Sequence, residues 1–412
     1  MSFPKSDVEI LRTLGRQVAE IAALPDQQRT IKLWKQLNGL KPARPMVAID
    51  QIPWHEMNVN DELTLRCTGP DAKKVETDLR HRLYRWNHMR ADYVMEATLG
   101  IAPVLTGTDI GPKVEEDRAV GDPQNSVVGH LYHDQIQSEA DLDKIKMPRV
   151  QHDTAATASR VAAWREVFDG ILTVEMQGVG PMLNVWDVIV MWRSVEGILM
   201  DLADRPEFLH ALMRRVTDAY SSLLDQYEAL GVMAQHQSWI HCTGAWTDEL
   251  PAPGFNPQQP RLKDNWVAGM AQIFGSVSLA MHQEFDLDYL NPLYARFGLV
   301  YYGCCEPLHA KLDIVRQIPN VRKVSMSPWV DEEAGAAGLG NKYVFSRKPS
   351  PALLAPDRWD PAAVEAHLRA TINACRRHNT PLELIIKDIS TVRYEPQRLW
   401  QWSDIAMRLV QE

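Results

Sequence analysis

Residues 297–331 read FGLVYYGCCEPLHAKLDIVRQIPNVRKVSMSPWVD. The first seven, FGLVYYG (297–303), form a short apolar and aromatic run closed by glycine, the pattern of a buried strand. VRKVSMS (321–327) is a second such run. Between them DIVRQI (313–318) is amphipathic and stops at Pro319, as a short helix does. Two strands joined through a helix run parallel, whereas antiparallel neighbours need only a hairpin. The stretch therefore predicts one unit of a parallel α/β fold.

The same rhythm recurs along the chain. Strand-like runs appear at MVAID (46–50), ILTVEM (171–176), HQSWIHC (236–242), KYVFS (342–346) and LELIIK (382–387). Residues 195–231 are long enough for two helices hinged near Pro206, and Asp360-Pro361 supplies a capping acid followed by proline at the first helical position. The first 40 residues read as two further helices. Ser6-Asp7 caps one, with Ile10, Leu11, Leu14, Val18 and Ile21 at helical spacing, and Pro25-Asp26 opens the other, with Ile31, Trp34 and Leu37. Polar or reactive residues follow several strands: His241, Cys304, Ser327 and Lys348. An open sheet gathers its site at one crevice, and a closed barrel gathers it from many strand ends. Neither GxGxxG nor GxxxxGK[ST] follows any strand. The expected fold is α/β, a (β/α)8 TIM barrel over 45–412 with an N-terminal helical extension over 1–44.

Bulk composition limits the function. The chain has 412 residues, 45% hydrophobic and 24% charged, enough for a sizeable core. Its net charge of −9 and the lack of any basic run argue against a nucleic-acid partner. No stretch approaches the length of apolar sequence that a membrane span needs. Five cysteines, at 67, 242, 304, 305 and 375, do not make a disulfide framework. MSFPKSDVEILRTLG carries no signal-peptide pattern, so a reducing cytoplasm is expected.

The reactive residues admit more than one reading. Cys304-Cys305 are small buried residues in a tight turn, a redox pair restricted to a strained bridge, or thiolate ligands of a metal such as zinc. Neighbours on a strand point to opposite faces, so only one of the two serves as a ligand unless Gly303 breaks the strand first. Cys305 is favoured, with Cys304 second. His241-Cys242 meets the same restriction. Asp248-Glu249 is either a solvated acidic loop or a general base or metal ligand. Lys348 and the pair Lys387-Asp388 lie at strand ends, as surface charges or site groups. GVGPMLNVWDVIVMW (178–192) reads as core or as the wall of an apolar pocket. GHLYHDQI (129–136), with His130, His133 and Asp134, reads as a polar loop or a metal cluster, and Cys375 falls on the apolar stripe of a helix.

At these residues the chain resembles the uroporphyrinogen decarboxylase-like superfamily. The closer likeness is to its corrinoid-dependent methyltransferases, including O-demethylase components. The similar stretches are LWKQLNGLKPARPMVAID (33–50), TDELPAP (247–253), 298–331 and KYVFSRKPSPALL (342–354), of which 298–331 is the most specific. The family fold is a (β/α)8 barrel. The decarboxylases carry an arginine-rich motif after their first strand, where this chain has IDQIPWHEMN (49–58) and no arginine to grip carboxylates. The zinc methyltransferases carry a His-x-Cys pair and a later cysteine. Here the pair is His241-Cys242, one residue closer, and the later cysteine is doubled.

The resemblance implies transfer of a methyl group from a small methylated substrate, such as an aryl methyl ether, to cob(I)alamin. No DxHxxG motif is present, so the corrinoid is expected on a separate corrinoid protein. The expected metal ligands for zinc are Cys305, Cys304 and His241. Glu249, Asp248 and Glu306 are the expected catalytic acids or bases, and Trp329, Lys348 and His309 the expected substrate contacts. A metal-independent decarboxylase or lyase using Asp248 and Lys348 is the alternative. A barrel that only binds a partner is a third reading.

Overall fold

Seven short strands hydrogen-bond side by side in a computed structural model that describes residues 3–120, 125 and 128–412. They are β1 (Met46–Ile49), β2 (Met182–Leu183), β3 (Trp266–Gly269), β4 (Leu299–Tyr302), β5 (Val321–Met326), β6 (Val344–Arg347) and β7 (Leu382–Ile386). Their order is β1-β7-β6-β5-β4-β3-β2, and every pairing is parallel. The parallel α/β expectation therefore holds. A closed barrel is not made by the ladder among the described residues. Thr98–Ile101 pairs only with Thr173–Met176, in a separate two-stranded sheet. The physical reason lies in residues 178–181, where Gly178, Gly180 and Pro181 break the chain between Thr173–Met176 and β2 and leave β2 two residues long.

Both faces of the sheet are buried, which explains the near-continuous apolar runs of its strands. On one face Val47, Ile49, Val267, Val300, Tyr302, Val324, Phe345 and Leu384 join the main helix-packed core. On the other, Met46, Ala48, Trp266, Ala268, Tyr301, Val344 and Ile385 form a second cluster with Trp34, Leu37 and Cys242. Trp34 and Leu37 belong to helix α2 (Pro25–Asn38). Helix α1 (Lys5–Ala22) buries Leu11, Leu14 and Val18 in a third cluster, with Leu99 and Val174. Asp7 does not cap its own helix. Its carboxylate accepts the backbone N–H of Thr68 and Gly69, 61 and 62 residues away, at the start of the helix Pro70–His88.

HQSWIHC (236–242) departs most from its expected form. Only Trp239–Ile240 is extended, and it folds back as a hairpin against Thr243–Gly244 with His241 and Cys242 at the turn. His241 takes φ +52°, the left-handed conformation such a turn demands. The hairpin lies on the second face of the sheet. Its base is held by a buried ion pair, Lys323 Nζ to Glu383 Oε2 at 2.7 Å, with both side chains inaccessible to solvent. Glu383 also accepts the Thr243 hydroxyl at 2.7 Å, and Lys323 donates to the Gly244 carbonyl at 3.0 Å. The lysine further sits 5.2 Å from the Trp34 ring.

Removing one partner of a buried pair leaves the other charge uncompensated, at a cost of about 3–5 kcal/mol, whereas an apolar replacement of both recovers most of it. Urea unfolding of Lys323→Met is expected to show a loss of that order. The double change Lys323→Met with Glu383→Leu is expected to be the more stable of the two variants. A single variant as stable as the starting protein would contradict this role.

Candidate active site

The carboxyl ends of six neighbouring strands carry chemically capable side chains. Asp187 follows β2, Gln272 follows β3, and Cys304, Cys305 and Glu306 follow β4. Ser327 and Trp329 follow β5, Lys348 follows β6, and Lys387 and Asp388 follow β7. In parallel sheets this is the edge where loops converge on ligands.

Gly303 decides how the two cysteines are presented. Its φ of +95° is the left-handed region open to glycine, and a Cβ there would lie 2.4 Å from Leu308 Cδ1. The strand ends at Tyr302, so the alternation that would have sent Cys304 and Cys305 to opposite faces no longer applies. Their sulfurs lie 3.6 Å apart. Cys304 is buried and Cys305 half-buried. The Cys304 carbonyl accepts the Ser325 hydroxyl at 2.7 Å, and its N–H donates to Glu306 at 2.8 Å.

Charge in the cluster is arranged around these thiols. Lys387 Nζ lies 3.0 Å from Cys304 Sγ and 3.3 Å from the Asp388 carboxylate. Burial opposes the Lys387 charge, but Cys304, Cys242 and Asp388 together hold its pKa above the usual lysine range. The thiols share a hydrogen bond. It raises Cys304, aided by burial, and lowers Cys305, so one sulfur of the pair carries negative charge before the other. Next to them Lys348 is buried and bonded to the Tyr301 hydroxyl, and burial lowers it to about 8.

His241 reaches this edge from the hairpin turn, its ring 5.3 Å from that of Tyr301. Its proximity opposes, without reversing, the rise that other causes impose on Cys304 and Asp187, and its Nε2 is buried without a hydrogen-bond partner. Asp187 is the residue that the sequence did not single out. It sits in the short helix Val185–Ile189, and Gln272 Nε2 donates to it at 2.7 Å. Burial, with the nearby charges of Glu306 and Asp286, lifts its carboxyl to about 6 despite the bond from Gln272. The only signal in the sequence was an acid inside the apolar stretch GVGPMLNVWDVIVMW.

The structure separates the other expected residues. Asp248 is exposed and paired with Lys35 of α2 at 2.7 Å. Glu249 grips Arg322, the second residue of β5, at 2.9 Å. Both acids thus sit at the amino end of the sheet, away from the cysteines, because the hairpin carries the chain back before TDEL begins. Asp248 and Lys348, coupled in the decarboxylase reading, lie at opposite ends. Glu306 is at the right edge but buried, and it accepts the N–H groups of Cys304 and Ala271. His309 lies in the turn Leu308–Lys311 with Nδ1 buried and unpartnered, and Trp329 is 70% exposed at the mouth. His130 and His133 lie on or next to a surface hairpin and pair with Glu116 and Asp117. Cys375 is buried in the helix Pro361–Arg377.

The donor set does not fit zinc. Among the described residues no three His, Cys, Asp or Glu side chains converge as metal ligands. The Lys387 ammonium also occupies a direction from which a cation would approach Cys304. The expected zinc ligation by Cys305, Cys304 and His241 is therefore not met by this arrangement. A roomy cleft of about 490 Å³ lies elsewhere, lined by Trp34, Tyr93, Glu96, Glu175, Trp239 and Trp246. The strand ends gather the two thiols, Asp187 and the buried Lys348 and Lys387, none of which lines that cleft.

No family model matches the chain, and no curated protein matches it. Among solved structures it is similar to a methyltransferase from Methanosarcina mazei, with a TM-score of 0.51 and 12% sequence identity. The match covers 92% of this chain and 97% of that one. At this identity the likeness is one of fold. Among the described residues no helix is long and apolar enough to cross a membrane.

Two outcomes check the site. Infrared difference titration against Asp187→Asn is expected to show one carboxyl that is protonated below, and ionised above, a midpoint of about 6. A midpoint in the ordinary aspartate range would contradict the buried setting. Metal analysis of the purified chain is expected to find no stoichiometric zinc, whereas zinc bound at unit ratio and lost in Cys305→Ala would overturn the arrangement.

Proposed function

We propose that the chain is a methyltransferase that takes a methyl group from a small methylated substrate, with aryl methyl ethers as the favoured class. The acceptor is the cob(I)alamin of a separate corrinoid protein, which would supply the nucleophile when that partner docks. In this reading the seven-stranded parallel sheet represents an interrupted (β/α)8 barrel. Two things support the proposal in general terms: the resemblance of 298–331 to the corrinoid-dependent methyltransferases, and the fold shared with the Methanosarcina mazei methyltransferase. The observation that carries it is Asp187, an acid tuned to about 6 at the strand ends, close enough to His241 and Glu306 to feel their charges.

The chemistry follows from the leaving group. An ether methyl resists transfer because the departing phenolate takes the C–O electron pair as negative charge. A proton placed on that oxygen as the bond breaks removes the charge. Asp187 is the group at this edge poised to donate it near neutral pH. The new bond forms from acceptor to methyl carbon, the C–O bond breaks, and the oxygen leaves as phenol with the Asp187 proton. Gln272 holds the carboxyl in place. Lys387, buried beside the thiols, lowers the cost of transient negative charge in the cluster. This arrangement gives Asp187 the role that the sequence reading gave to Glu249 or Glu306.

The test supplies a panel of methoxyarenes with reduced corrinoid protein and follows phenol release together with the cobalt spectrum. Phenol and methylated corrinoid are expected in equal amounts. The rate is expected to fall as pH rises through about 6, because Asp187 must be protonated to act. Asp187→Asn is expected to lower the rate by about 10²–10⁴-fold, the usual contribution of general acid catalysis. Release of carbon dioxide without methyl transfer, or no phenol from any donor, would reject the proposal.

A further inference from the structure

We propose that Cys304 and Cys305 form a reversible oxidative modification site, closing to a disulfide between adjacent residues when the chain meets a hydroperoxide. This inference concerns the thiols alone and stands whether or not methyl transfer is the reaction.

Three observations carry it. The two sulfurs are 3.6 Å apart, so little movement separates them from bonding. They differ in access, since Cys305 is half-buried and reachable whereas Cys304 is buried behind it. A fixed cation, Lys387 Nζ, stands 3.0 Å from Cys304 Sγ, where it opposes the shared hydrogen bond and burial that otherwise hold this thiol neutral. The remaining cysteines, Cys67, Cys242 and Cys375, are buried, so the pair offers the accessible thiol chemistry of the chain.

The Cys305 sulfur attacks the peroxide oxygen, the O–O bond breaks, and Cys305 becomes a sulfenic acid while the other oxygen leaves as water or alcohol. Cys304 then attacks the Cys305 sulfur. Its thiol proton and the sulfenic hydroxyl leave as water, and the S–S bond forms. Two thiols are oxidised, and one hydroperoxide supplies the oxidant. Adjacent Cα atoms are held about 3.8 Å apart by the peptide bond, whereas ordinary disulfides span about 4.4–6.8 Å. The product ring is therefore strained and easily reduced, which suits a switch rather than a structural bridge. Gly303 makes closure feasible by ending the strand before the pair, so that both sulfurs share one side.

The test treats the full chain with graded hydroperoxide, counts free thiols, and maps the peptide that contains YYGCCEPLH by mass. The expected result is loss of two of the five thiols, both in that peptide, with its mass lower by two hydrogens and restored by dithiothreitol. Cys304→Ser is expected to stop instead at an oxygenated or adducted Cys305. Oxygen added to Cys305 in the unsubstituted chain while Cys304 stays free would overturn the proposal. So would thiols lost first at Cys67, Cys242 or Cys375. Because the unsubstituted chain gives the primary readout, the result does not depend on the variant folding.

Discussion

The buried pair of Lys323 and Glu383 is the constraint on which the rest of the site depends. Two opposite charges without solvent sit between β5 and β7 and spend their remaining hydrogen bonds on Thr243 and Gly244. That fastens the base of the hairpin to the middle of the sheet. The turn then has one place to go, along the second face toward the carboxyl edge, and His241 arrives beside Tyr301 and Cys304. A buried pair is weak evidence for stability as such. Its contribution here is registry: it fixes where the hairpin begins and hence where the imidazole ends.

At the other end of that hairpin the electrostatics follow from burial. Asp187, Lys348 and Lys387 each pay for leaving water, and each answers in its own way. Asp187 has an amide partner and acidic neighbours, so it holds its proton to about 6. Lys348 bonds to hydroxyl and carbonyl oxygens, and burial, aided by the nearby Lys387 charge, shifts it down to about 8. Lys387 has a thiol and a carboxylate at close range and stays charged. One edge of one sheet thus offers a proton donor and a fixed cation, with an unpartnered imidazole nitrogen beside them. That combination is what transfer from a poor leaving group requires.

Much of the scaffold was legible in the sequence because local pattern determines it. The strands from 299 onward and the helix begun by Asp360-Pro361 are where periodicity and capping place them, with Asp360 accepting the N–H groups of Ala362 and Ala363. The role of Gly303 was foreseen as a condition, and the structure meets it. What stayed hidden is non-local. Trp266–Gly269 is a strand of four residues, too short for its apolar pattern to stand out. Lys387 meets Cys304 across 83 residues. Asp187 was masked by its apolar neighbours, since an acid inside a core-like run reads as noise until its burial is seen. TDELPAP (247–253) was misplaced for the opposite reason: its charges are conspicuous, but they follow a hairpin that reverses the chain, and so they answer Lys35 and Arg322 at the far end.

The central claim is that small-molecule chemistry happens at the strand ends rather than in the roomier cleft lined by Trp239 and Trp246. A crystal structure of the chain soaked with a methoxyarene tests it most directly. The account predicts the ring between Asp187, His241 and the two thiols, with its oxygen in hydrogen-bond reach of the Asp187 carboxyl. A ring bound only in the cleft beside Glu96 and Glu175, with the strand-end groups untouched, would contradict it.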